Sequence, residues 1–104
     1  MKHYIVKFEH TDLKGWKKNV IPHVLYLRKL IKQGRLIVSG PTVDERKDVK
    51  EAYLIFKVKD KTQLIELLEK DPYWYKGLVS HYTIDEWKPL FGNLSLLENE
   101  EFNK

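Results

Sequence analysis

The chain has 104 residues, 42% of them hydrophobic, with 19 Lys and Arg against 15 Asp and Glu and no cysteine. That length builds one core rather than two, and the lack of cysteine excludes a disulfide framework or a thiolate metal cluster. No apolar run has the length of a membrane-crossing helix, and the net charge of +4, spread along the chain, describes a solvated surface.

The N-terminal MKHYIVKFEH alternates like a strand and has neither the apolar segment nor the cleavage site of a signal peptide, so a cytoplasmic location is expected. Within it, residues 3–9 place Tyr4, Val6 and Phe8 on one face and Ile5 on the other, which predicts a first strand. Residues 10–19 are polar, contain Asp12 and Gly15, and read as a loop. From Val20 the spacing turns helical, with Val20, Val24, Leu27, Leu30 and Ile31 on one side, Pro22 in the first turn and Gly34 as the stop. RLIVS at 35–39 predicts a short buried strand ended by a Gly40-Pro41 turn. After a charged stretch, EAYLIFKVK at 51–59 predicts a third strand.

Asp60 and Gln63 form a capping-box pattern that opens a second helix, and Asp71-Pro72 closes it, because the residue before proline is pushed out of helical geometry. LVSHYTIDEW at 78–87 alternates and predicts a fourth strand. The expected organisation is one domain over 1–90 and a C-terminal arm over 91–104 with room for a short helical turn. The order β-α-β-β-α-β is the α+β, ferredoxin-like arrangement, a four-stranded antiparallel sheet with two helices on one face. Apolar and aromatic side chains point to both sides of the strands, as Tyr53 and Ile55 do against Leu54 and Phe56. A homodimer packed through the open sheet face, of the dimeric α/β-barrel type, is therefore expected.

His23 falls in the first turn of the first helix, at an edge of its apolar face. The helix runs antiparallel to the second strand, so the end of that strand returns to the helix start and brings Asp44 toward His23. A carboxylate beside an imidazole fixes its tautomer and favours the protonated ring, so the other ring nitrogen can exchange a proton near neutral pH. Ser39 and the backbone around the turn could hold a substrate oxygen. From pattern alone, a structural His23 and an Asp44 that caps its own loop compete with this reading. His3 and His10 flank the first strand and read as surface positions, and His81 falls in the last strand. No His, Asp and Glu set has metal-ligand spacing, so no metal and no cofactor are expected.

The run HVLYLRKLIKQGRLIVSGP with an Asp soon after, followed by DPYWYKGLV and a final WKP, resembles the YciI-like (YCII-related) domain family over roughly residues 3–90. The resemblance implies a ferredoxin-like dimer and an active site of one His and one Asp, carried onto His23 and Asp44. It implies Ser39, Gly40 and Pro41 as a pocket wall and Asp71, Pro72 and Tyr73 as a second edge. Tyr73, Trp74 and Tyr53 would then supply an apolar wall for a small organic substrate, with packing under the helices or at the dimer interface as the competing role of Trp74 and Tyr75. One branch of the family performs lyase-type elimination (dehydrochlorination), which sets the expected reaction class. The loop TVDERKDVKEAYLIF departs from the pattern in lacking the glycines that many relatives carry before the third strand.

Three other functions compete. One is a non-catalytic dimeric module in which His23 only binds a ligand. The second is a cofactor-independent oxygenase of the same fold superfamily. The third is an RNA-recognition module, whose strand order is the same. Against it, Tyr53 lacks the preceding glycine and the first strand ends in Glu9-His10, so no nucleic acid is expected as partner, and no membrane.

Overall fold

A computed structural model describes residues 1–43, 46 and 48–93. The elements are β1 (Lys2–His10), α1 (Leu13–Lys18), α2 (Val20–Lys32), β2 (Leu36–Pro41), β3 (Lys50–Val58), α3 (Lys61–Glu69), α4 (Pro72–Tyr75) and β4 (His81–Trp87). The four strands form one antiparallel sheet in the order β2-β3-β1-β4, the ferredoxin-like topology with β1 and β3 at its centre. Among the described residues four helices accompany the sheet, two more than the periodicity predicts. Asp44 and the tail from 94 onward lie outside the described residues.

Strand alternation sorts the side chains onto two faces. Tyr4, Val6 and Phe8 of β1 pair across with Phe56, Leu54 and Ala52 of β3, and Leu36 of β2 joins them; Leu30 of α2 and Leu64, Leu67 and Leu68 of α3 close over this set. Apart from Ala52, these residues are almost fully buried and make up the core. The opposite face carries Ile5 and Ile55 as a cross-strand pair and Tyr53, 45% exposed, beside Lys7. Lys7 reaches Glu51 at 2.6 Å, and Arg46 pairs with the same carboxylate.

Local chemistry accounts for the element ends. Asp60 accepts from the Gln63 amide at 2.9 Å, and the Gln63 side chain reaches back to the Lys59 amide at 2.7 Å, one residue before the position a standard capping box would satisfy. Gly34, with φ of +73°, ends α2: its amide returns to Ile31 and the Arg35 amide to Leu30.

Two expectations need correction, and a third holds with an addition. Residues 13–18 are helical, not loop: Asp12 caps α1 through the Gly15 amide, but no residue of α1 is buried, so it leaves no apolar period to read. Gly40 and Pro41 do not turn the chain. They continue β2, pairing with Tyr53 and Ala52, which an edge strand tolerates because proline's missing N–H faces no partner strand. Asp71-Pro72 ends α3 and at once starts α4, with the proline at its first position.

Leu64 is wholly inaccessible at the centre of the helix–sheet contact. Leu64→Ala should cost about 2–5 kcal/mol, read as a lowered urea midpoint with an unchanged slope.

Candidate functional site

The apolar side of α2 does not press flat onto the sheet. Only Leu30 is fully buried, while Val20, Val24, Leu27 and Ile31 face a cavity of about 780 Å³. Phe8, Ala52 and Leu54 form its floor, and Ser39, Gly40 and Pro41 of β2 form the wall opposite α2. His10, Trp16, His23 and Tyr73 close one end, and Arg28 and Lys32 lie on the α2 side. The lining is therefore apolar with a few convergent polar groups, the usual make-up of a small-molecule site.

His23 is held from behind. Its Nδ1 lies 2.8 Å and 2.9 Å from the two carboxylate oxygens of Asp71. A carboxylate accepts, so Nδ1 carries the hydrogen and Nε2 is the nitrogen left for a ligand. Asp71 is 1% exposed, and its Oδ1 also accepts from the Tyr73 amide at 3.0 Å as the N-cap of α4. One buried carboxylate thus caps one helix and orients a side chain of another. The Tyr73 ring stacks on the His23 imidazole with centroids 4.1 Å apart and planes at 21°. The Tyr73 hydroxyl donates to the Trp16 carbonyl at 2.9 Å. Burial, reinforced by the Asp71 charge, pushes the Tyr73 phenol up to about 12, so it serves as a fixed donor and not as a base.

His10 is the residue that sequence reasoning misplaced. It is 2% exposed, not on the surface, because β1 runs one residue past its predicted end and keeps Tyr4, Val6, Phe8 and His10 on the covered face. That continued alternation was the available signal. Its Nδ1 lies 2.7 Å from the Leu78 carbonyl, which only accepts, so Nδ1 is again the protonated nitrogen. The Leu78 carbonyl is set by a second left-handed glycine: Gly77, with φ of +70°, ends α4 and lets the Leu78 amide return to Tyr73 at 2.8 Å. His10 also packs on Tyr73, with centroids 4.8 Å apart.

The expected site residues separate accordingly. His23, Ser39, Gly40, Pro41 and Tyr73 share the cavity, and Asp71 stands behind His23, with Pro72 buried at the start of α4. Tyr53 is not brought to it: out of phase with Ala52 and Leu54, it lies on the open face of the sheet. Trp74 packs on Phe8 and Tyr82. His81 is exposed on β4 near Glu9, at 3.9 Å. Among the described residues no cluster of three His, Asp or Glu has the arrangement to hold a metal.

A family model for the YCII-related domain matches residues 1–88. The chain belongs to the YCII-related domain family. Among solved structures it is similar to 5-chloro-2-hydroxyhydroquinone dehydrochlorinase of Burkholderia phenoliruptrix AC1100, solved in complex with 2,5-dihydroxybenzoquinone. The two share 22% identity over 83% of this chain and 93% of that one, with a TM-score of 0.72. An uncharacterized protein of Thermotoga maritima is 11% identical over 84% and 98% of the two chains (TM-score 0.53). An uncharacterized NIPSNAP domain protein of Burkholderia xenovorans is 16% identical over 86% and 95% (TM-score 0.51). At these identities the structures establish a shared fold. No match is found among curated proteins.

The pKa of His10 lies below the ordinary 6.5, chiefly because burial penalises the charged ring. The Leu78 carbonyl and Asp71 oppose that shift, and His23 adds to it. The unfolded chain therefore takes up a proton at this position at a higher pH than the folded one does. The stabilisation is complete above 6.5 and is lost as pH falls from there through the folded value. Urea midpoints should drop on acidification through that window, and His10→Asn, which keeps a donor for the Leu78 carbonyl, should flatten the drop.

Proposed function

We propose that this protein is a small-molecule enzyme that performs acid–base, elimination-type chemistry with His23 as proton-transfer residue and Asp71 as its orienting carboxylate. The observation that carries the reading is the His23–Asp71 contact at 2.8 Å and 2.9 Å at the end of an apolar cavity. Nε2 takes a proton from the substrate, the released electron pair forms a double bond, and the leaving group departs with its bonding electrons. The net loss is HX, and the proton on His23 passes to solvent. Asp71 stabilises the imidazolium formed in between without taking the proton. Among the described residues no acidic side chain lines the cavity, whereas Arg28 and Lys32 do. That balance favours an electron-rich or anionic organic molecule and an anionic leaving group.

The elimination catalysed by the dehydrochlorinase supplies the first substrate to test, 5-chloro-2-hydroxyhydroquinone. Chloride release should be measurable, and His23→Ala should lower it at least ~100-fold. Asp71→Asn keeps an acceptor for the Tyr73 amide but offers His23 Nδ1 an amide, which can favour the wrong tautomer; a loss of ~10-fold or more with the fold intact is expected. Chloride release that is unchanged in both variants would exclude the mechanism. A non-catalytic ligand-binding module is the alternative, and saturable binding with no turnover in the wild type would favour it.

We further infer that the protein acts as a homodimer through the open sheet face, where Ile5, Ile55 and Tyr53 form an apolar centre beside the Lys7–Glu51 pair. Sedimentation should give a dimer, and Ile55→Glu, facing away from the core, should give a folded monomer.

A further inference from the structure

The proposed reaction uses one imidazole, but the cavity holds two. His10 and His23 come from different elements, lie against the same Tyr73 ring, and both have Nδ1 tied to a protein acceptor. His10 spends its one ring N–H on the Leu78 carbonyl. Among the described residues no buried side-chain nitrogen or oxygen lacks a hydrogen-bond partner, so Nε2 is not sealed in, and the space His10 lines is the cavity. Nε2 is therefore the ring atom of His10 left for a molecule in the cavity. We propose that His10 is a second ligand-contacting residue, whose Nε2 accepts a hydrogen bond from a phenolic hydroxyl of the substrate.

The chemistry of this nitrogen selects the partner. A neutral imidazole with its N–H already used is an acceptor only, so it rewards a donor and leaves an ether or carbonyl oxygen unmatched. Burial lowers the His10 pKa and so favours the neutral ring, which preserves that preference. A flat aromatic ring suits the space beside Phe8 and Trp16, and its hydroxyl would then sit between the two histidines. The substrate class is a hydroxylated aromatic, held at one hydroxyl by His10 while His23 moves the proton. A site that recognises a hydroxyl by a buried acceptor discriminates against the analogue lacking it, because the acceptor is then desolvated and unpaired.

This rests on the cavity's being the site of the proposed chemistry, and the test does not depend on turnover. Long-range proton–nitrogen NMR on imidazole-labelled protein should show His10 as the Nδ1–H tautomer in the free state. Titration with hydroquinone should move the His10 Nε2 resonance upfield, whereas 1,4-dimethoxybenzene, the same ring without donors, should leave it in place. His10→Asn should weaken hydroquinone binding about three- to tenfold, the worth of one neutral hydrogen bond, and leave dimethoxybenzene binding unchanged. An Nε2–H tautomer, an equal response to both compounds, or no response at millimolar hydroquinone would overturn the proposal. If hydroquinone moves Nε2 but no chloride is released, His10's role stands and the elimination reading fails. If chloride is released from 5-chloro-2-hydroxyhydroquinone with Nε2 unmoved by that substrate, the elimination reading stands and His10's role fails.

Discussion

The site depends on one buried carboxylate. Asp71 accepts from the Tyr73 amide within its own helix start and from His23 across the gap between α4 and α2. A carboxylate this far from water is tolerable only when its oxygens are met by donors. Those donors are the two groups that fix the cavity's end, so the condition that makes Asp71 acceptable in the interior also sets the direction of the His23 ring. Four residues at 71–74 begin a helix of one turn, yet they decide where a side chain 48 positions earlier in the chain will point.

Tyr73 extends this constraint. Its amide goes to Asp71, its ring lies under both imidazoles, its hydroxyl reaches Trp16 of α1 and its carbonyl receives the Leu78 amide. Five segments thereby meet around one aromatic side chain that is itself 2% exposed. The positions of His10 and His23 are consequently coupled: moving α4 would disturb the carboxylate behind one ring and, through Gly77 and Leu78, the carbonyl behind the other. Preorganisation of this kind holds both imidazoles through packed elements of the fold.

How much of this was legible in the sequence follows from the range of each interaction. Strands and the two long helices were readable because alternation and helical spacing are local, and the capping pair Asp60 and Gln63 lies within one turn. The SGP segment read as a turn because glycine and proline usually interrupt a strand; only the edge position of β2 in the sheet shows why they do not here. His23 was found from its place on α2. Following the return of β2 assigns its carboxylate partner to residue 44, which lies outside the described residues, whereas Asp71 reads as a helix stop and, through the family resemblance, as a pocket edge. Both uses of Asp71 are compatible with its sequence, and only the packing of α2 on α4 reveals the second.

The two faces of the sheet impose a last constraint on β3. Ala52 and Leu54 line the cavity, while Glu51, Tyr53 and Ile55 look out from the other side. A one-residue slip would exchange these sets, placing a glutamate and a tyrosine under α2 and the cavity floor in water. Register is held from both neighbours: β1 pairs with β3 without interruption from Lys2 to His10, and β2 absorbs an irregularity between Leu36 and Val38 before Ser39 to Pro41 fall into place beside the cavity. Such a bulge re-aims the residues that follow it. It buries both Leu36 and Ile37, although strict alternation would have exposed one of them, and it brings Ser39 opposite Leu54 on the cavity side. The same local break in an edge strand thus sets both the packing of Leu36 and Ile37 and the β2 wall of the cavity, so that wall is a property of the sheet's register.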